Sequence, residues 1–184
     1  MADNGSFFMD TRAPFVTTAP AAVTLAATAK ALYTTSQFPT LGGNYFNYAG
    51  KKLRIRMAGQ VTTGLTPGNG SFNVYYGSGA DAAGVLLMTG TPVAMLASQT
   101  NLTWITELVV TCRSVGSVGT LFCTGRALFN PLVVANAMLL PASAPVVSGA
   151  CDLTAANIIS VQFLRSGSTA ETMQILEMEV MSLN

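Results

Sequence analysis

Apolar and polar residues alternate most clearly in three stretches of the chain. In "KKLRIRMAGQVTT" (51–63), Leu53, Ile55 and Met57 fall on one side of an extended backbone, and Lys52, Arg54 and Arg56 on the other. In "SFNVYYG" (71–77), Phe72, Val74 and Tyr76 share a side. In "TWITELVVTCRSVG" (103–116), one side carries Trp104, Thr106, Leu108, Val110 and Cys112, and the other carries Ile105, Glu107, Val109, Thr111 and Arg113. Both sides of this last stretch are mostly apolar, the pattern of a strand covered twice. Trp104, Leu108 and Val110 are therefore the candidate core.

Shorter segments complete the β pattern. "VLLM" and "PVAML" are short strands around "TGTP", and "GTLFCTGRALFN" forms a hairpin with the strand before it. "NIISVQFLRS" and "ETMQILEMEVMSLN" close the chain around an "SGST" turn. "NPLVVANAMLLPASAPVV", with proline near both ends, reads as irregular. Glu177 and Glu179, two apart in "EMEV", share a face and read as a polar edge. About eight strands separated by Gly/Pro/Asn turns predict an antiparallel sandwich or barrel. Periodicity alone does not choose between a jelly roll, an immunoglobulin-like sandwich and a barrel.

Residues 1–42 differ. Pro, Ala, Thr and Gly are frequent there, and alternation is weak. The Val and Thr in "TTAPAAVTLAATAKAL" oppose the helix that its alanines would favour. The prediction is an extended arm with at most one strand, near Leu32 to Thr35, lying on a neighbouring surface, followed by a sandwich domain over 43–184.

Composition narrows the function. Half of the 184 residues are hydrophobic and only 9% are charged, against roughly 25% in an ordinary soluble domain. Mean hydropathy is +0.46. No stretch approaches the roughly 20 apolar residues of a membrane helix, and "MADNGSFFMDTRAPF" lacks the pattern of a secretory signal. The apolar excess therefore points to contacts between chains, not to a membrane. A net charge of +1 gives no field to attract nucleic acid. The one basic cluster, Lys52, Arg54 and Arg56, reads either as a solvated strand face or as a contact for an acidic partner surface.

Catalytic equipment is thin. With no histidine in the chain, neither a Ser-His-Asp nor a Cys-His arrangement can be built. The eight carboxylates are scattered, and "GTLFCTG" and "GSGADAAG" lack phosphate-loop spacing. No enzyme activity, cofactor or metal is expected. If "GSVG" (116–119) is a tight turn, Cys112 and Cys123 face each other across the hairpin, near disulfide range. The three cysteines form no CxxC, and free buried thiols are the expectation for a chain folded in reducing cytoplasm.

The string W-x-x-E-x-x-x-x-C-R-S-V-G-x-x-G-T (104–120), with "GKKLRIRMAGQVTT" upstream and "L-N" after a last alternating strand, resembles small structural proteins of tailed-bacteriophage virions. The resemblance covers about residues 50–130 and the last strand. The ending "MSLN" is less aromatic than that pattern, and the arm lies outside it. It implies a jelly-roll-like domain that forms a homotrimer and decorates a particle, most often the capsid, by binding the major capsid protein. The alternatives within the virion are a head fibre base, a spike or a tail component. A carbohydrate-binding module is the alternative of another class, with Tyr45, Tyr48, Tyr75 and Tyr76 as candidate sugar platforms.

Overall fold

The computed structural model describes residues 11–12, 21–81, 84–130 and 137–183. Among them are twelve strands and one 3-10 turn at Thr35–Gln37. The strands are β1 (Thr11–Arg12), β2 (Val23–Thr24), β3 (Lys30–Ala31), β4 (Lys52–Thr62), β5 (Asn69–Gly77), β6 (Val85–Thr89), β7 (Val93–Ala94), β8 (Leu102–Ser114), β9 (Thr120–Phe129), β10 (Ala137–Leu140), β11 (Ile158–Arg165) and β12 (Thr172–Leu183). They form two antiparallel sheets packed as a sandwich. The larger runs β1-β12-β4-β8-β9-β10, with β2 also on β12, and the smaller runs β3-β11-β5-β6, with β7 on β5. Without β7, β9 and β10, each sheet keeps four positions, and the chain crosses between sheets at β2–β3, β3–β4, β4–β5, β6–β8, β8–β11 and β11–β12. That winding is a jelly roll; β9 and β10 widen the larger sheet.

Alternation dictates what enters the core. Leu53, Ile55, Met57 and Val61 of β4 and Trp104, Leu108, Val110 and Cys112 of β8 face inward and are buried. Opposite them stand Phe72 and Val74 of β5 and Ile159, Val161 and Phe163 of β11. The centre is aromatic. Phe72 lies 5.9 Å from the Trp104 ring and 4.9 Å from Phe163, and Phe129 stacks on Phe163 at 5.5 Å. Edge-on and stacked rings at such distances add to the burial itself. Trp104 Nε1 donates to the Gln60 carbonyl at 3.2 Å, so the buried indole leaves no orphan donor. Gly59, opposite Trp104 in register, sits where β4 and β12 approach so closely that a Cβ would lie 1.9 Å from the Gln174 carbonyl oxygen.

The arm is extended, but its described part does not wait for a neighbour. Leu25, Ala31, Leu32, Tyr33, Phe38 and Leu41 are buried in the core of their own chain, and β1, β2 and β3 supply edge strands to both sheets. The expected docking on another surface is thus corrected for residues 21–42; residues 1–10 and 13–20 lie outside the described set. Where at most one strand is expected, near Leu32 to Thr35, the described arm instead carries three short ones, β1, β2 and β3, the last ending at Ala31 ahead of the 3-10 turn. Polar clamps fix the arm. Tyr33 Oη donates to the Ile159 carbonyl at 2.5 Å and accepts from the Val161 amide at 2.8 Å, and burial raises its pKa well above the ordinary tyrosine value. Arg165 Nε lies 2.7 Å from the Glu171 carboxylate, which is fully buried, and 3.1 Å from the Leu25 carbonyl. Thr169 Oγ1 donates to the other carboxylate oxygen of Glu171.

Two further expectations change. Of the segment read as irregular, Ala137–Leu140 forms β10 on β9; residues 131–136 lie outside the described set. Cys112 pairs with Leu121, and Cys123 with Val110, so the two thiols are not opposite one another. The turn is where expected, closed by the Gly119 amide on the Gly116 carbonyl at 3.1 Å with Gly116 at φ +96°. An irregularity between Cys112 and Ser114 shifts the register beyond it. All three cysteines are free and buried. Burial raises each thiol pKa, that of Cys123 to about 12.

Candidate interaction surface

The residues that point away from the core on β12, β4, β8 and β9 make one broad face. Register sets its composition row by row. Arg56 lies opposite Glu179 of β12 on one side and Glu107 of β8 on the other, and Glu107 lies opposite Arg126 of β9. A row Glu179–Arg56–Glu107–Arg126 therefore crosses four adjacent strands with alternating sign. Arg126 Nη2 reaches Glu107 Oε2 at 3.2 Å, and Arg54 reaches Glu179 diagonally at 3.9 Å. Opposite charges on neighbouring strands stabilise the sheet modestly. Exposed pairs are worth about 0–1 kcal/mol each.

The adjoining row is apolar: Ala58 of β4, Ile105 of β8 and Leu128 of β9 are in register. In β12 the residue in register with Ala58 is Glu177, and a bulge between Ile175 and Glu177 sets the extra residue, Leu176, beside it. The extra residue lets Leu176 and Glu177 both point outward while Ile175 and Met178 remain buried. Leu176 and Leu128 are 49% and 48% exposed. A shallow groove of about 270 Å³ runs between the charged row and the Ile105–Leu128 row. Glu177 and Glu179 share this face; β1 and β2 pair β12 only at Val180–Met181 and Thr172–Met173, so among the described residues this stretch of β12 is paired on the β4 side alone, as expected of a polar edge.

The basic cluster lands on the same face. Lys52 and Arg56 are exposed and Arg54 is half-buried; Arg54 Nη2 also contacts Met181 Sδ at 3.3 Å. Trp104, Leu108 and Val110 are on the reverse side of the same sheet, fully buried. Spacing could place Lys52, Arg54 and Arg56 on one face. It could not show that Glu107, Glu179 and Arg126 complete a row with Arg56, because that depends on three strand registers.

The tyrosines are dispersed. Tyr76 is buried, Tyr75 is half-buried, and Tyr45 and Tyr48 flank the Lys51 ammonium at 4.4 and 5.9 Å from their ring centroids. Partial burial lowers the Lys51 pKa. With the cation against these two rings, they do not present a shared open platform. Among the described residues, no group of three or more His, Cys, Asp or Glu could hold a metal ion. No family model matches the sequence, no curated protein matches it, and no solved structure matches the fold.

Proposed function

We propose that the chain is a structural protein of a tailed-bacteriophage virion, a homotrimeric decoration protein that binds the assembled head and stabilises it through the major capsid protein. The observation that carries this reading is the broad outer face of the larger sheet. There, exposed Leu176 and Leu128 and half-buried Ile105 adjoin the row of alternating charges on a chain with only 9% charged residues. A mixed face of this kind suits a contact made mainly by complementary protein surface. The resemblance of residues 104–120 to virion proteins supplies the setting. Binding to the closed shell and not to its dissociated subunits stabilises the shell by mass action.

The test is reconstitution. Purified chain is mixed with heads of the cognate phage that lack it, and the heads are sedimented. Co-sedimentation that saturates, together with a higher temperature for genome release, is the expected result. A chain that stays in the supernatant at all concentrations would reject the reading.

A further inference from the structure

We propose that the outer face of β12, β4, β8 and β9 binds the same face of a second copy of the chain, about a two-fold axis parallel to the strands and running between β4 and β8. The argument is geometric. Such an axis exchanges the outer pair of strands, β12 with β9, and the inner pair, β4 with β8. The charged row reads minus, plus, minus, plus across these four strands. Turned over, it reads plus, minus, plus, minus. Glu179 then meets the other copy's Arg126, and Arg56 meets the other copy's Glu107, so all four positions are matched twice.

The same axis matches the second row. Ala58 meets Ile105 of the other copy, and Leu176 meets Leu128. These two leucines are among the most exposed aliphatic side chains on the strands of this face, at 49% and 48%. Glu177 is the β12 residue in register with Ala58, and the bulge that turns Leu176 outward sets this leucine beside it as the apolar group at that end of the row. Lateral stabilisation within one sheet explains the alternation of charge but not a bulge that turns a leucine outward on the same face as Leu128. Two sheets packed face to face lie about 10 Å apart, within reach of Arg and Glu side chains. Four strands span only about 15 Å between outer axes, so the contact is small and transient. It is also salt-sensitive, since its charges are partly exposed. It uses the face proposed above for the shell, so it joins free chains and gives way on a head; it stands whether or not the chain decorates one, and in a trimer it would join one trimer to the next.

The experiment is a charge swap read by sedimentation velocity and light scattering on the full chain. At low salt, the wild-type weight-average mass should rise at least twofold with concentration, and should fall back at high salt. Arg56→Glu alone and Glu107→Arg alone each place like charges opposite one another twice, and should raise the concentration for half-association at least about tenfold. An equimolar mixture of the two variants restores every pair and should associate again. Far-ultraviolet circular dichroism and melting temperature establish that each variant is folded. If either is not, Arg126→Glu with Glu179→Arg poses the same question at the outer strands. A wild-type mass independent of salt and concentration, variants that associate as well as wild type, or a mixture no better than its components would each overturn the proposal.

Discussion

At the residue scale, the core is concentrated in a few side chains. Trp104 is fully buried, with Phe72 against it and its indole N–H satisfied by Gln60. Trp104→Ala should cost about 3–5 kcal/mol, a large share of the roughly 5–15 kcal/mol that holds an ordinary domain together. Thermal or urea melting measures it; a native-like melt would mean that the ring is not in the core. The buried pair Arg165–Glu171 makes a second case. Glu171→Ala leaves the Arg165 guanidinium, already shielded from water, without its counter-charge. The expected loss is about 3–5 kcal/mol, and an unchanged urea midpoint would refute it.

Alkaline pH acts on the same interior. Cys112, Cys123, Cys151 and Tyr33 all have raised pKa values in the folded chain because burial disfavours their charged forms. Below the ordinary thiol pKa of about 8.5, folded and unfolded chains bind the same protons and this contribution is fully present. Above it, the unfolded chain loses thiol protons that the folded chain keeps. Stability therefore falls as pH rises between each group's unfolded and folded pKa, by at most about 1.4 kcal/mol per pH unit for Cys123, with Cys112 and Cys151 acting in the same direction and Tyr33 joining above about 10. Urea midpoints from pH 7 to 11 should be flat at first and then decline. Replacing Cys123, whose folded pKa is about 12, by Ala should make the decline shallower.

At the scale of elements, β4, β5 and β8 were legible because strict alternation exposes the inward set directly: Leu53, Ile55 and Met57, or Trp104, Leu108 and Val110. The pairing between strands was not. Register depends on turns and bulges, and the irregularities beside Arg113 and Leu176 carry no strong sequence mark. This is why Cys112 was placed opposite Cys123, and why the charged row across four strands stayed hidden. The arm was misplaced for a different reason. Its buried residues, Leu25, Leu32, Tyr33, Phe38 and Leu41 among them, follow no period of two, because the segment crosses the sandwich instead of running in one sheet. Their burial makes a deletion informative. Removing residues 1–35 strips Leu25, Leu32 and Tyr33 from the core and leaves Arg165 without the Leu25 carbonyl. The truncated chain should melt far below the full one, if it folds at all; a truncation with an unchanged melt would show that the arm adds nothing to the core.

At the scale of the whole molecule, apolar excess and low charge are only partly absorbed by the core. The remainder is on the surface, where Leu139 and Val118 are more than 70% exposed and Leu128, Leu176 and Val147 about half. Light scattering at physiological salt should give the mass of three chains, with the two-fold contact adding to it only at low salt. The virion assignment itself is reached most directly by counting. The amount of this chain relative to the major capsid subunit, measured by quantitative mass spectrometry on purified cognate particles, should be a fixed ratio of the order of one chain per shell subunit. Absence from the particles would contradict the assignment outright, and a few copies per particle would contradict decoration of the head.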